Sequence, residues 1–155
     1  MLYDVLDVAG YIVEYQEKRK NPFTHLKLQK MLYFLWEYYY STTHEHLFEN
    51  RIEAWIHGPV SPEAYERYCV FGGLPITTIL EFNTKPIFSN DRAIINKFLE
   101  NYEGLGAQYL VNFTHQPGTP WHKIFYSEGN DQKYPYREIP YRLIEQEALK
   151  LKWEK

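Results

Sequence analysis

The chain has 155 residues and a net charge of -3, from 17 basic and 20 acidic residues. This length is typical of about one domain, and we expect residues 1–155 to form a single domain that buries a sizeable core. The acidic balance gives no general attraction to nucleic acid, and no apolar run approaches the ~20 residues that span a bilayer.

The cellular compartment is indicated by the cysteine count and the N-terminus. The single cysteine, Cys69, cannot form an intramolecular disulfide. The first residues, Met1 to Asp4, lack the basic and apolar regions of a signal peptide. Both features are typical of a protein in a reducing cytosol, so we predict a cytoplasmic location.

The first half of the chain begins with two predicted helices. Apolar residues recur at helical spacing from about Asp4, and Asn21-Pro22 ends this first helix. Thr24 is a suitable cap for a second helix that runs to about Tyr40. One face of the second helix carries Leu28, Met31, Leu32, Leu35 and Tyr39, and the opposite face carries Leu26, Tyr33 and Tyr40. The pattern fits a central helix packed on both faces, or one that offers a face to a partner.

A loop, a short strand and a well-marked helix follow. Ser41 to Asn50 is polar and predicts a loop, and alternation from Ile52 to His57 predicts a strand that Gly58-Pro59 ends. Ser61 then caps a helix with Pro62 at its first position, and Gly72-Gly73 closes it.

The second half is mostly helical. Pro86 to Phe88 has strand character, and helices are predicted from Ser89 or Asn90 to Gly104, from Ala107 to His115, from Thr119-Pro120 onward, and from Tyr141 to Lys150. A polar insert covers Ser127 to Lys133, and Pro135 and Pro140 favour an extended stretch. The predicted fold is mainly α (α+β), a compact multi-helix domain with a small two- or three-stranded β element.

Histidines raise the question of a metal site. His44 and His46 lie in the polar loop, and His115 and His122 lie around a Pro-Gly turn. None has a zinc-site spacing, and only one cysteine is present, so we expect no metal and no other cofactor. We expect His44 and His46 to be solvated, and His115 to cap its helix or hydrogen-bond near the helix end.

Features that would suggest catalysis have simpler explanations. Cys69 has no histidine in its helical neighbourhood to activate its thiol and is predicted to be a small buried side chain. Glu63 and Glu66 lie on one face near a helix start, where carboxylates interact favourably with the helix dipole. We therefore expect no catalytic residues and a protein that is not an enzyme.

Three motifs carry a family resemblance when they are taken in order. They are LKLQKMLYF (Leu26 to Phe34), AWIHGPVSPEAY (Ala54 to Tyr65) and THQPGTPWHKIFY (Thr114 to Tyr126). In this order the sequence resembles the Panacea domain, the family of SocA-like antitoxins and of the phage-associated GepA proteins. The resemblance extends over almost the whole chain, from Asp7 to Trp121.

The resemblance implies an antitoxin of a type II-like toxin-antitoxin pair, found in phage and prophage settings, that binds and neutralises a toxin protein encoded nearby. The alternative is a SocA-like adaptor that delivers the toxin to a ClpXP-type protease. A nucleic-acid-binding phage regulator, which would use cations such as Lys18, Arg19 and Lys20, is less favoured because acidic residues lie close to them. No membrane partner is expected.

Tyr, Trp and Phe make up 18% of the chain, and such residues supply both core mass and interface anchors. We therefore predict an exposed aromatic and Gly-Pro surface that covers the toxin. The candidate partner-binding residues are Tyr33, Tyr40, Trp55, His57, Gly58, Pro59, Tyr65, His115 and Trp121. The other interpretation, which the sequence leaves open, is that Trp55, Tyr65 and Trp121 are buried anchors of the fold.

Overall fold

A computed structural model describes residues 2–80, 82–127 and 136–154. Within these ranges, seven α-helices and one β-hairpin follow one another along the chain. In order they are α1 (Val5–Lys18), α2 (His25–Thr43), β1 (Glu53–Trp55), β2 (Gly58–Val60), α3 (Pro62–Tyr68), α4 (Ser89–Tyr102), α5 (Ala107–Thr114), α6 (Pro120–Phe125) and α7 (Tyr141–Lys150). The predicted fold class, mainly α with a small β element, is confirmed.

Helix starts agree with the capping residues in the sequence. The side chain of Thr24 accepts a hydrogen bond from the N–H of Lys27, that of Ser61 from Ala64, and that of Thr119 from His122. Each bond satisfies a backbone donor that has no partner within its helix. The predicted starts of α2, α3 and α6 are confirmed for this reason.

α2 forms the centre of the fold. All of its residues from Leu28 to Tyr39 are buried, and the helix contacts α1, α3, α4, α5, α7 and β2. Packing on both faces is therefore confirmed for this segment. The helix continues three residues past the predicted end at Tyr40, and over this last turn the hydroxyls of Ser41, Thr42 and Thr43 donate to the carbonyl oxygens of Tyr38 and Tyr39.

The β element differs from the prediction. β1 and β2 are antiparallel, and Trp55 lies opposite Gly58, so the turn is at Ile56-His57. Gly58, with φ +114°, begins the second strand, and the prediction that Gly58-Pro59 ends the strand segment is wrong. Ile56 was predicted to continue the strand, but its side chain is 58% exposed at the turn.

Two further predictions need correction. Pro86 to Phe88 forms no strand, because the N–H of Phe88 bonds to the hydroxyl of Tyr3 rather than to a neighbouring strand. Cys69 is exposed, since it lies in a 3₁₀ turn (Cys69–Phe71) that follows α3 at the surface.

The C-terminal part follows the prediction. α7 covers Tyr141–Lys150, as expected from the sequence. The polar insert from Ser127 to Lys133 lies outside the described residues except for Ser127, and Pro135 lies outside them too. In the part of the chain that the structure describes, we find no helix with the length and apolar character needed to cross a membrane.

Candidate partner-binding surface

The three sequence motifs meet at the hairpin. Lys30 of α2 is fully buried, and its Nζ donates to the carbonyl oxygen of Pro59 at 2.8 Å. The neighbouring Gln29 makes two bonds with Ser61: its Nε2 donates to the Ser61 carbonyl at 3.2 Å, and its Oε1 accepts from the Ser61 N–H at 2.8 Å. The first motif therefore holds the second in place through buried polar contacts.

Close packing explains why position 58 is a glycine. A Cβ at Gly58 would lie 2.8 Å from Cε of Lys30 and 2.9 Å from Oγ1 of Thr114, and the φ of +114° is one that L side chains rarely adopt. Both constraints favour a residue without a side chain. Thr114 belongs to the third motif, so all three motifs meet at this residue.

Trp121 joins α6 to the hairpin from inside. Its indole N–H donates to the carbonyl oxygen of Trp55 at 2.6 Å, and its ring stacks on His115 and Phe125 with centroid distances of 3.8 and 4.5 Å. Trp121 is buried. These contacts make it an anchor of the fold, and its side chain does not lie at the surface.

Other side chains of the same region face outward. Trp55 is half-buried and contacts Tyr65 and Tyr136, with ring centroids 4.8 and 5.0 Å away. Tyr65 is 40% exposed and Tyr126 is 60% exposed. We define the hairpin surface as the outward-facing residues of the hairpin and of the adjoining α3 and α6 regions. Its members are Trp55, Ile56, His57, Tyr65, His122 and Tyr126.

Burial divides the nine predicted partner-binding residues. Trp55, His57 and Tyr65 lie on the hairpin surface, whereas Gly58, Pro59, Trp121 and the half-buried His115 lie beneath or beside it. Two candidates are elsewhere. Tyr33 is buried in the core, and Tyr40, near the other end of α2, stacks on Trp36 at 5.5 Å. Of the nine, Trp55, His57 and Tyr65 remain accessible to a partner at the hairpin.

Lys30 is the important residue that sequence reasoning missed. A helical wheel places Lys30 and Glu37 in the same stripe as Leu26, Tyr33 and Tyr40, at spacings of three and four residues. Charged residues inside an apolar stripe are a signal of burial. Both side chains are in fact fully buried.

Burial changes the protonation of the groups under the hairpin. It lowers the pKa of Lys30 to about 7, because desolvation disfavours the charged amine. Burial also lowers the pKa of His115, with smaller contributions from the positive charges of Lys30, His57 and His122. The pKa of His25 is lowered by burial and then by Lys30.

The remaining histidines lie away from the hairpin. His44 is exposed, as predicted, but His46 is half-buried, and its two ring nitrogens lie 3.0 Å from Oε2 of Glu49 and 2.6 Å from Oε1 of Glu145. The prediction of a solvated His46 is therefore wrong. Across the described ranges, no group of three or more His, Cys, Asp and Glu side chains is arranged to hold a metal ion.

Comparison with known families assigns the chain to a class. A sequence model of the family described as antitoxin SocA-like, Panacea domain, matches residues 28–122. The chain therefore belongs to the family of SocA-like antitoxins with a Panacea domain. The matched range includes Lys30, the whole hairpin and Trp121. Neither a curated protein nor a solved structure matches the chain.

Proposed function

We propose that this protein is an antitoxin that neutralises a cognate protein toxin by binding it directly through the hairpin surface. Membership of the antitoxin family supports the general role. The observation that carries the assignment to this surface is the exposure of Ile56, Tyr65 and Tyr126 around the half-buried Trp55. Aromatic side chains of this kind are typical centres of binding energy in protein interfaces.

A fixed framework supports the exposed residues. The bonds of Lys30 to Pro59, of Gln29 to Ser61 directly after the hairpin, and of Trp121 to Trp55 hold the backbone beneath the surface. A surface whose conformation is already fixed loses little conformational entropy on binding. The role is stoichiometric occlusion of the toxin, and it requires no catalysis by this chain.

Co-expression tests this proposal. The protein encoded beside this chain is produced in a host with and without the chain, growth is scored, and the two proteins are then co-purified. We expect growth to be rescued and a stable complex to form. The double variant Ile56→Ser/Tyr126→Ala, altered at two exposed positions, is expected to lose both the rescue and the complex. A harmless neighbour that never co-purifies would contradict the proposal.

A second exposed region favours the proteolytic adaptor as the alternative. Val70, Leu74 and Ile79, which follow α3, are 69%, 70% and 80% exposed. An adaptor needs a second contact surface besides the one that holds the toxin, and an exposed apolar region is suited to this role. Rescue only in cells that contain a ClpXP-type protease would favour the adaptor. Rescue in cells without the protease would favour occlusion.

A further inference from the structure

A cavity of about 220 Å³ opens where α2, α4, α5 and the segment after α7 meet. Side chains of the core form its floor, and none of these is more than 6% exposed: Met31, Phe34, Phe98 and Leu110. The cavity therefore reaches from the surface into the core of the domain. None of its described lining residues belongs to the hairpin surface.

Aromatic rings form much of the cavity wall. Phe113 on α5 meets Phe34 edge-on at a centroid distance of 5.5 Å and stacks on Tyr109 at 6.5 Å. Tyr102 and Trp153 also line the cavity, and their rings meet edge-on at 6.0 Å. Aromatic rings attract one another in these edge-to-face and offset stacked arrangements, with a gain beyond the area that they bury. The wall is therefore suited to a flat aromatic ring.

Trp153 is fixed at the wall by contacts of its own. Its indole N–H donates to the carbonyl oxygen of Ala148 at 3.3 Å, and its ring meets Tyr38 edge-on at 5.5 Å. The next residue, Glu154, donates its N–H to the hydroxyl of Tyr102 at 2.6 Å. Since these contacts hold the wall in place, the cavity is preformed, and a ligand loses little affinity to ordering it.

The enclosed part of the cavity is apolar. Within the described chain, none of the buried side-chain nitrogen or oxygen atoms that lack a hydrogen-bond partner belongs to a lining residue. Among the polar lining groups, the Tyr102 hydroxyl accepts from Glu154, and Tyr109 and Lys152 are exposed. A buried water molecule needs about two to four polar partners, which these interior side chains do not supply. The cavity therefore favours a ligand whose enclosed part carries no polar group.

The volume limits the size of the ligand. An apolar cavity of about 150 Å³ accommodates benzene, whereas pockets for drug-sized ligands have volumes of about 300–1,000 Å³. The cavity lies between these limits, which corresponds to one or two fused aromatic rings.

We propose that this cavity binds a small, uncharged aromatic molecule of one or two fused rings, which lies against Phe34, Phe113 and Trp153. A polar substituent of such a molecule points toward the mouth, where Tyr109 and Lys152 are exposed. The inference goes beyond the proposed function, because the described residues that form the cavity lie outside the hairpin surface.

Titration with indole tests the inference, because indole has two fused rings and no charge. The heat of binding to the full chain and the melting temperature are measured at increasing indole concentration. We expect one indole per chain, with a dissociation constant of about 1 mM or lower, and a melting temperature that rises with indole concentration. Purine is the matched control probe, because it is similarly flat but would bury ring nitrogens without partners. We expect purine not to bind.

Leu105→Trp and Leu149→Trp form a matched pair of variants. Leu105 is half-buried and lines the cavity, whereas Leu149 is 57% exposed on α7 and does not line it. We expect L105W to fill the cavity and abolish indole binding, and L149W to bind indole as wild type does. Phe113→Leu, at a position that is 38% exposed, keeps the test valid if L105W does not fold. It removes only the ring and should weaken binding about threefold to tenfold.

The outcomes decide between this site and its alternatives. No saturable binding of indole up to its solubility limit would overturn the inference, and so would binding that L105W and F113L both leave unchanged. Purine binding as tight as that of indole would contradict an apolar site. If indole does not bind but L105W loses the toxin, the cavity takes an aromatic side chain of the partner instead. The indole measurements use the antitoxin alone, so their failure leaves the proposed function intact.

Discussion

The two halves of α2 each bury one lysine or glutamate side chain, and they do so differently. Lys30 lies under the hairpin and donates to the carbonyl oxygen of Pro59. The hairpin surface, with its exposed residues, is the outer side of the same hairpin. Glu37 lies two turns further along, and both of its carboxyl oxygens are buried without a hydrogen-bond partner. Burial raises the pKa of Glu37 well above its usual range, and the charge of Glu147 on α7 adds to the effect.

The comparison teaches that burial on one helix can serve two purposes. The Lys30 half uses a buried amine to hold a backbone segment that carries exposed aromatic residues. The Glu37 half is covered by α7, and its carboxyl group is kept neutral in the core. The proposed function uses the Lys30 half for partner binding, whereas the Glu37 half packs against α7 in the core.

Replacing Trp121 should produce the largest effect. Trp121→Ala removes a buried ring that stacks on His115 and Phe125, together with the bond to Trp55. We expect a loss of about 3–5 kcal/mol in the free energy of unfolding, measured by urea denaturation. The control Tyr109→Ala removes an exposed ring and should change stability little. A normal melting curve for W121A would contradict its assignment as an anchor of the fold.

Replacing Lys30 should stabilise the protein near neutral pH. The pKa of Lys30 is lowered from its ordinary value to about 7, so the unfolded chain binds an additional proton between pH 7 and the ordinary lysine pKa. Wild-type stability therefore rises with pH in this window. Lys30→Met removes the effect, and we expect it to exceed wild type by about 2–4 kcal/mol near pH 7, because each pKa unit corresponds to about 1.4 kcal/mol and leaving the buried Pro59 carbonyl without its donor offsets about 1–3 kcal/mol of the gain.

The advantage of Lys30→Met should shrink as the pH rises toward 10, where neutral Lys30 keeps its bond to Pro59. Denaturation of the wild-type protein and of Lys30→Met at several pH values measures this difference in the free energy of unfolding. An advantage that does not depend on pH would contradict the account of Lys30 as a buried amine.

Replacing Glu37 should give the opposite pH dependence with a smaller effect. Because the pKa of Glu37 is raised in the folded state, the folded chain keeps a proton that the unfolded chain releases above about pH 4.5. Wild-type stability therefore falls as the pH rises through this region. Glu37→Met should exceed wild type by about 1–2 kcal/mol near pH 7 and by less near pH 4. Equal differences at both pH values would contradict a neutral, buried Glu37.

Sequence reasoning succeeded where the determining contacts are local. The side chains of Thr24, Ser61 and Thr119 each accept a hydrogen bond from the amide three residues further along. A few adjacent residues therefore determine where each of these helices begins. The last helix was predicted with its correct ends, because Pro140 precedes it and its apolar spacing is regular.

Sequence reasoning failed where the contact is distant. In most local sequence patterns, a Gly-Pro pair such as Gly58-Pro59 marks a turn or the end of a strand. The place of Gly58 as the first residue of β2 depends instead on packing against Lys30 and Thr114, which are 28 and 56 residues away. Lys30 itself lies in an apolar stripe of α2, but its partner, the carbonyl oxygen of Pro59, is 29 residues away and local spacing does not reveal it. The candidate surface was therefore predicted by motif, but the polar framework beneath it was not.

The smallest expected effect on stability is at the hairpin turn. Ile56→Ser changes a side chain that is 58% exposed and should alter the free energy of unfolding by less than about 0.5 kcal/mol. Its effect on toxin affinity should be much larger if the hairpin surface is the interface. Calorimetric titration compared with thermal melting separates the two quantities. A matched loss of stability and affinity would assign Ile56 to the fold instead.

Hydrogen exchange of the antitoxin, free and in complex with the protein encoded beside it, tests the central claim most directly. We expect slower exchange on binding at the amides of residues 54–66 and 120–127, and no change in α4, residues 89–102. Protection confined to the exposed segment of residues 70–80, or to α4, would contradict the assignment of the hairpin surface as the toxin-binding site.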